Sequence, residues 1–164
     1  MITASEEPGY KFSKWTYQPT VTSLSITYKV QNLNGDTTFR AEFVPRQYPV
    51  NAVADGAKGV VTIDGGAGLK DYNSQVTINV TPIPGYDFKE WRKGDQVVST
   101  SATYYYTVEI GGANLVAYFT ESEFTVTASA DPAQGSVSGG GKYLYGATAT
   151  LTATPAYGYK FKEW

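Results

Sequence analysis

Neither cysteine nor histidine occurs in this 164-residue chain, and methionine occurs once. The lack of cysteine excludes a disulfide framework, a thiolate nucleophile and a Cys-based zinc site. The lack of histidine makes Ser-His-Asp, Cys-His and His-metal arrangements impossible within the chain. Compartment stays open on these counts, because zero cysteines suits the cytosol and equally suits bacterial exported proteins. Charge is also scarce. Charged residues make up 17% of the chain, the net charge is −2, and no Lys/Arg run exceeds two residues, so a nucleic-acid footprint is missing. No apolar stretch approaches the roughly 18 residues of a membrane span. The opening MITASEEPGY lacks the basic start and apolar core of a signal peptide; it reads as a strand end, with Met1 set inside a longer natural chain.

Aromatic residues, at 15%, are what the chain has in quantity, alongside Thr, Gly, Tyr and Val. That is the composition of twisted antiparallel sheets joined by turns. The aromatics are not scattered. The string Gly-Tyr-x-Phe-x-x-Trp occurs at Gly9, Tyr10, Phe12 and Trp15, again at Gly85, Tyr86, Phe88 and Trp91, and again at Gly158, Tyr159, Phe161 and Trp164. The starts lie 76 and 73 residues apart, and the strings hold all three tryptophans. A spacing this regular marks an array of one module.

The register extends well beyond the string. An offset of 76 places Phe39–Phe43 under Leu115–Phe119, and Tyr48, Val50, Ala52 and Ala54 under Phe124, Val126, Ala128 and Ala130. The chain therefore divides into a complete module at 48–123, a fragment at 1–47 without the opening strands, and a fragment at 124–164 without the closing ones. Strict alternation predicts short strands, with Val76, Ile78 and Val80 inward, ended by Thr81-Pro82 because proline cannot donate to a central ladder. Tyr104 and Tyr106 are expected inward and Tyr105 outward, on a strand that forms a hairpin with Leu115–Phe119 through Gly111-Gly112. No window shows capped helical periodicity, so the expected class is mainly β, with at most one turn of helix between Thr-Pro and Gly-Tyr. A cut placed within a longer chain accounts for the two fragments. A sharper alternative is head-to-tail association, in which the C-terminal fragment completes the N-terminal fragment of another molecule.

Within the string, Tyr10 and Phe12 alternate onto one strand face, and a bulge is needed to bring Trp15 back to it. The three rings are expected to cap each module's hydrophobic face, since every module needs its own core. The competing reading is an exposed carbohydrate platform. Tyr105, with Tyr72, Tyr143 and Tyr145, forms a second candidate surface for a glycan or a protein partner, set against ordinary cross-strand pairing of aromatics. Catalytic candidates are few. Glu90 and Glu163 sit beside tryptophans in equivalent positions, but Lys14 fills that slot in the first copy, so a solvated face accounts for them. Asp64-Gly65-Gly66 lacks the alternating oxygen ligands of a calcium loop, and no helix follows Gly139-Gly140-Gly141 to favour an anion. No catalytic, metal or cofactor site is expected, and no cofactor.

The order of elements resembles a known family. It runs from a Thr-rich strand through A-D-P-A-x-G-S-V-S-G-G-G and Y-x-Y-G-A-T-A-T-L-T-A-T-P to G-Y-K-F-K-E-W, and closes on A-x-F. This is similar to the divergent form of the internalin-type (InlB) B-repeat of bacterial surface proteins, over essentially the whole chain. The resemblance implies tandem, mostly β modules with a ubiquitin-like (β-grasp) relation, in antiparallel or mixed sheets. It also implies export as part of a long cell-surface or secreted protein, and it transfers no catalytic residues. The expectation is a non-catalytic spacer, stalk or adhesion segment. The alternatives are a module binding a glycan or host protein, and an accessory domain of a surface enzyme.

Overall fold

Short alternating segments rich in Thr, Val and Tyr, broken by glycine every few residues, leave the backbone little choice but short strands. The computed structural model describes residues 1–18 and 20–164, of which 55% are strand. The first fragment carries β1 (Ile2–Thr3), β2 (Tyr10–Tyr17), β3 (Thr20–Ser23), β4 (Thr27–Tyr28) and β5 (Arg40–Pro45). The complete module carries β6 (Gln47–Ala54), β7 (Gly59–Ile63), β8 (Gly68–Asp71), β9 (Gln75–Pro82), β10 (Tyr86–Lys93), β11 (Gln96–Ser99), β12 (Thr103–Thr107) and β13 (Ala113–Glu121). The last fragment carries β14 (Glu123–Val126), β15 (Gly135–Ser138), β16 (Gly141–Leu144) and β17 (Thr152–Pro155). A 3-10 turn, Asp55–Ala57, follows β6, and the connection from β9 to β10, which had room for at most one turn of helix, is a plain turn.

The complete module is two sheets face to face. One has the order β11-β10-β13-β6-β8 and the other β12-β9-β7. The larger sheet is mixed: β13 runs parallel to β6, with Ala113 opposite Val50 and Ala117 opposite Ala54, while its other pairs are antiparallel. Between the sheets lie Val50, Trp91, Leu115 and Ala117 from one side and Val76, Ile78, Val80 and Tyr106 from the other. Tyr104 packs against this cluster and Tyr105 points out, as alternation requires.

One local expectation is corrected. β12 and β13 do not form a hairpin, because they belong to different sheets. The Gly111-Gly112 turn closes with Gly112 N–H donating to Glu109 O at 3.0 Å, and Gly112, at φ +75°, lies against the Pro49 carbonyl, where a Cβ would not fit. That approach delivers Ala113 beside Val50 and commits β13 to the parallel pairing. A hairpin does form between β10 and β11 over Gly94-Asp95, with Gly94 at φ +60°. Glycine at the first turn position is what a two-residue connection favours.

The fragments repeat parts of this plan. β2, β3 and β5 form a sheet of order β3-β2-β5 corresponding to β11-β10-β13, and β1-β4 corresponds to β9-β12. The pairs β14-β16 and β15-β17 correspond to β6-β8 and β7-β9.

Candidate functional site at the module joints

The repeated string begins on a glycine at positive φ, a backbone costly for most side chains: φ is +85° at Gly9, +92° at Gly85 and +88° at Gly158. From there β2 and β10 run identically. Against β5 and β13 the register slips between Phe12 and Lys14 and between Phe88 and Glu90, and against β3 and β11 it slips just after the tryptophan. The slip ahead of the tryptophan is the bulge that turns it onto the phenylalanine's face. The ring pairs Phe12–Trp15 and Phe88–Trp91 share a centroid separation of 5.8 Å, at 51° and 52°. Each indole N–H then donates to the carbonyl just ahead of a strand of another sheet, Trp15 to Ile26 O before β4 and Trp91 to Ala102 O before β12, both at 3.4 Å. Trp91 is fully buried and Trp15 is 7% exposed.

The third copy departs from the burial expected of it. Tyr159, Phe161 and Trp164 lie outside any strand, and Trp164 is 65% exposed. The reason is that β10 and β2 are held by β13 and β5, and among the described residues no such strand lies beside 158–164. Glu90 is also corrected. It is not on a solvated face but 9% exposed, accepting from Arg92, whose guanidinium stacks 4.9 Å from the Tyr118 ring. In the first copy Lys14, in the slot of Glu90, pairs instead with Glu42, which stands in the slot of Tyr118, at 3.2 Å. Glu163 is exposed beside Lys162, so these carboxylates converge on nothing.

What the glycines do besides turning is seat the next module. Arg46 alone separates β5 from β6, and Ser122 alone separates β13 from β14. Arg46 N–H donates to Gly9 O at 2.7 Å, and Arg46 O accepts from Tyr72 N–H at 2.7 Å. Ser122 repeats this with Gly85 O at 2.9 Å and Tyr145 N–H at 3.0 Å. Above each glycine lies the ring of that tyrosine: a Cβ on Gly9 would enter the Tyr72 ring, and one on Gly85 would stand 2.7 Å from Tyr145 Cδ1. Tyr72 also meets Tyr10 edge-on at 5.5 Å and Tyr48 at 6.3 Å, while Tyr145 meets Phe124 at 6.4 Å. The first joint has an extra lock. Arg46 Nε donates to Tyr10 O at 2.9 Å and its guanidinium pairs with Glu6. Glu6 in turn accepts from Phe12 N–H, and that bond with Arg46 beside it holds the carboxyl below its usual pKa.

Of the four tyrosines weighed as a ligand surface, Tyr72 and Tyr145 thus belong to the joints, on different modules. Tyr143 donates its hydroxyl to Gly139 O at 2.5 Å. Tyr105, 60% exposed, stands apart from them on the outer face of β12. The structure does not gather the four into one platform. Sequence reasoning missed the joint role of Tyr72 and Tyr145, although a tyrosine recurring next to the Gly-rich connection in both later copies was visible. Among the described residues there is no cluster of acidic side chains able to hold a metal ion, and no helix long and apolar enough to cross a membrane.

A family model, the divergent InlB B-repeat domain, matches residues 1–47, 48–123 and 124–164. The chain belongs to the divergent InlB B-repeat family. Neither a curated protein nor a solved structure matches it. The family is one of repeat domains from bacterial surface proteins.

Proposed function

We propose that this chain is a non-catalytic spacer segment of an exported bacterial surface protein, and that its joints make it a stiff one. The observation carrying this is the twice-repeated seat of a tyrosine ring on the string's glycine, closed by the same two backbone hydrogen bonds through a one-residue linker. Two hydrogen bonds and a packed ring fix the direction in which each module leaves the last. A linker of a single residue leaves no slack to undo that. Stiff joints give length without paying the entropy of a flexible chain, which is what a stalk needs. The β-grasp relation implied by the family is supported by the parallel contact of the module's first and last strands, β6 and β13, at the sheet centre.

The test is a distance distribution between spin labels, one at Lys29→Cys in the first fragment and one at Thr100→Cys in the complete module; the chain has no native cysteine to interfere. A single narrow distribution is expected, broadening when Tyr72 is replaced by alanine. A broad distribution in the parent chain refutes a stiff spacer. The exposure of Tyr105 supports a second reading, a glycan- or protein-binding module. Retardation of the parent chain in polysaccharide gels, abolished by Tyr105→Ala, would favour it over a pure spacer.

A further inference from the structure

The two joints of the complete module attach to neighbouring strands. Arg46 leads directly into β6, and β13 leads directly into Ser122, so tension along the chain enters at Gln47 and leaves at Glu121. β6 and β13 lie side by side inside the five-stranded sheet and run parallel, from Val50 opposite Ala113 to Ala54 opposite Ala117. Parallelism decides how a load acts on them. The start of β6 and the end of β13 lie at opposite ends of the ladder, so a pull on both slides one strand along the other. Parallel ladder bonds are evenly spaced, and sliding strains them together. In an antiparallel pair the same two points would lie at one end, and the bonds would open one after another.

We propose that the complete module is a mechanical clamp, bearing tension between its two joints through the β6–β13 ladder loaded in shear. The remaining strands, β7 to β12, lie in sequence between β6 and β13 and carry no tension while those two stay joined. One face of the ladder is sealed by the core, where Val50, Leu115 and Ala117 are fully buried, so water does not compete for its bonds from that side. On the other face Val53 stands opposite Val116, and Asn51 Nδ2 donates to Asn114 Oδ1 at 3.0 Å across the pair. Each strand is also held on its far side. β10 pairs with β13 from Leu115 to Glu121, and β8 pairs with the start of β6, where Gln47 Nε2 donates to Asp71 Oδ1 at 3.0 Å at the point of loading. As a function the clamp rests on the spacer reading, because only a chain held at both ends comes under tension. The two are measured separately: stiffness belongs to the joints, resistance to a ladder inside the module.

The experiment pulls on the whole chain in an optical trap through pairs of introduced cysteines, since it has none of its own. Gln47→Cys with Glu121→Cys loads opposite ends of the ladder, as the joints do. Asp55→Cys with Glu121→Cys moves one handle to the far end of β6 and peels the same ladder from one end. Forced unfolding reads the barrier along the pulled direction. The first pair is expected to yield in one step that frees the chain between the handles, up to about 260 Å when extended. Its force should be several-fold above that of the second pair, with an upper ratio of about five set by five residue pairs loaded together against one at a time. Guanidinium unfolding of the two variants without load is expected to agree. Equal forces, a lower force in the sliding direction, gradual lengthening without a step, or a force difference matched by one in unloaded stability overturns the proposal. Spin labels that report a flexible joint beside a strong first pair remove the stiff spacer and leave the clamp.

Discussion

Gly85→Ala tests the joint most sharply, because two separable costs meet at one atom. The first is conformational: φ is +92°, and an L-residue held in the left-handed region loses about 1–2 kcal/mol. The second is steric. The new Cβ would stand 2.7 Å from Tyr145 Cδ1 and 3.2 Å from Cγ, inside any real contact, so the ring must leave or the backbone must shift. Overpacking of that kind costs about 1–3 kcal/mol. The single variant should therefore lose about 2–5 kcal/mol. Tyr145→Ala removes the obstacle, so in that background the same glycine change should cost only the conformational part, about 1–2 kcal/mol. The cycle thus predicts a coupling of about 1–3 kcal/mol between residues 60 apart in sequence. Guanidinium unfolding of the four chains gives the energies, and hydrogen exchange at the Tyr145 amide, which is bonded to Ser122 O, reports whether the joint has opened. Equal costs in the two backgrounds would mean that the ring does not sit on the glycine, and the stiff joint would fall with it.

The three tryptophans share a motif but not an environment, so their alanine variants should rank by burial. Trp91→Ala should cost about 3–5 kcal/mol by denaturant titration, and Trp164→Ala, 65% exposed, a small fraction of that; equal losses would contradict the open third copy. Gly112→Ala should separate β13 from β6, read as lost exchange protection along Ala113–Ala117, because its Cβ would collide with the Pro49 carbonyl; full protection would refute the account of the parallel pairing. Acid should loosen the first joint before the second. Glu6 has its pKa lowered chiefly by the Phe12 N–H, so its contribution is present above the unfolded-state pKa and is lost as pH falls through the lowered folded value. Glu6→Gln should flatten this acid limb in a stability–pH series; the second joint has Pro82 and Ser122 at the equivalent positions and should show no such limb.

The repeat, the strands and the bulge were legible because each leaves a signature within a few residues. Alternation placed Val76, Ile78 and Val80, and the three-residue step from Phe12 to Trp15 demanded a register slip that both β2 and β10 contain. Sheet membership was not legible. Tyr104–Tyr106 and Leu115–Phe119 read as a hairpin because a Gly-Gly turn joins them. The turn's geometry is set from outside, by the Pro49 carbonyl against Gly112, and no local pattern records that contact. Glu90 misled for a similar reason. Comparison with Lys14 suggested a surface slot, whereas Arg92, two residues on, satisfies the carboxylate and lets it go under cover.

The joint explains a feature of the string that the core alone does not. A phenylalanine and a tryptophan brought together by a bulge suffice to cap a sheet, and neither requires a glycine ahead of them. Gly9 and Gly85 turn the chain into its strand with positive φ, and asparagine tolerates that backbone as well. What asparagine lacks is the bare Cα face on which Tyr72 and Tyr145 lie. The glycine thus belongs to two modules, shaping the entry to its own β2 or β10 and receiving the following module's ring. The tyrosine that fills the seat comes 63 residues later in the first joint and 60 in the second, a difference of the same three residues that the last copy loses near its Gly-rich connection. A loop that shortens without moving its tyrosine off the seat is a loop whose end is fixed by the neighbour, and that places the constraint between modules as well as within them.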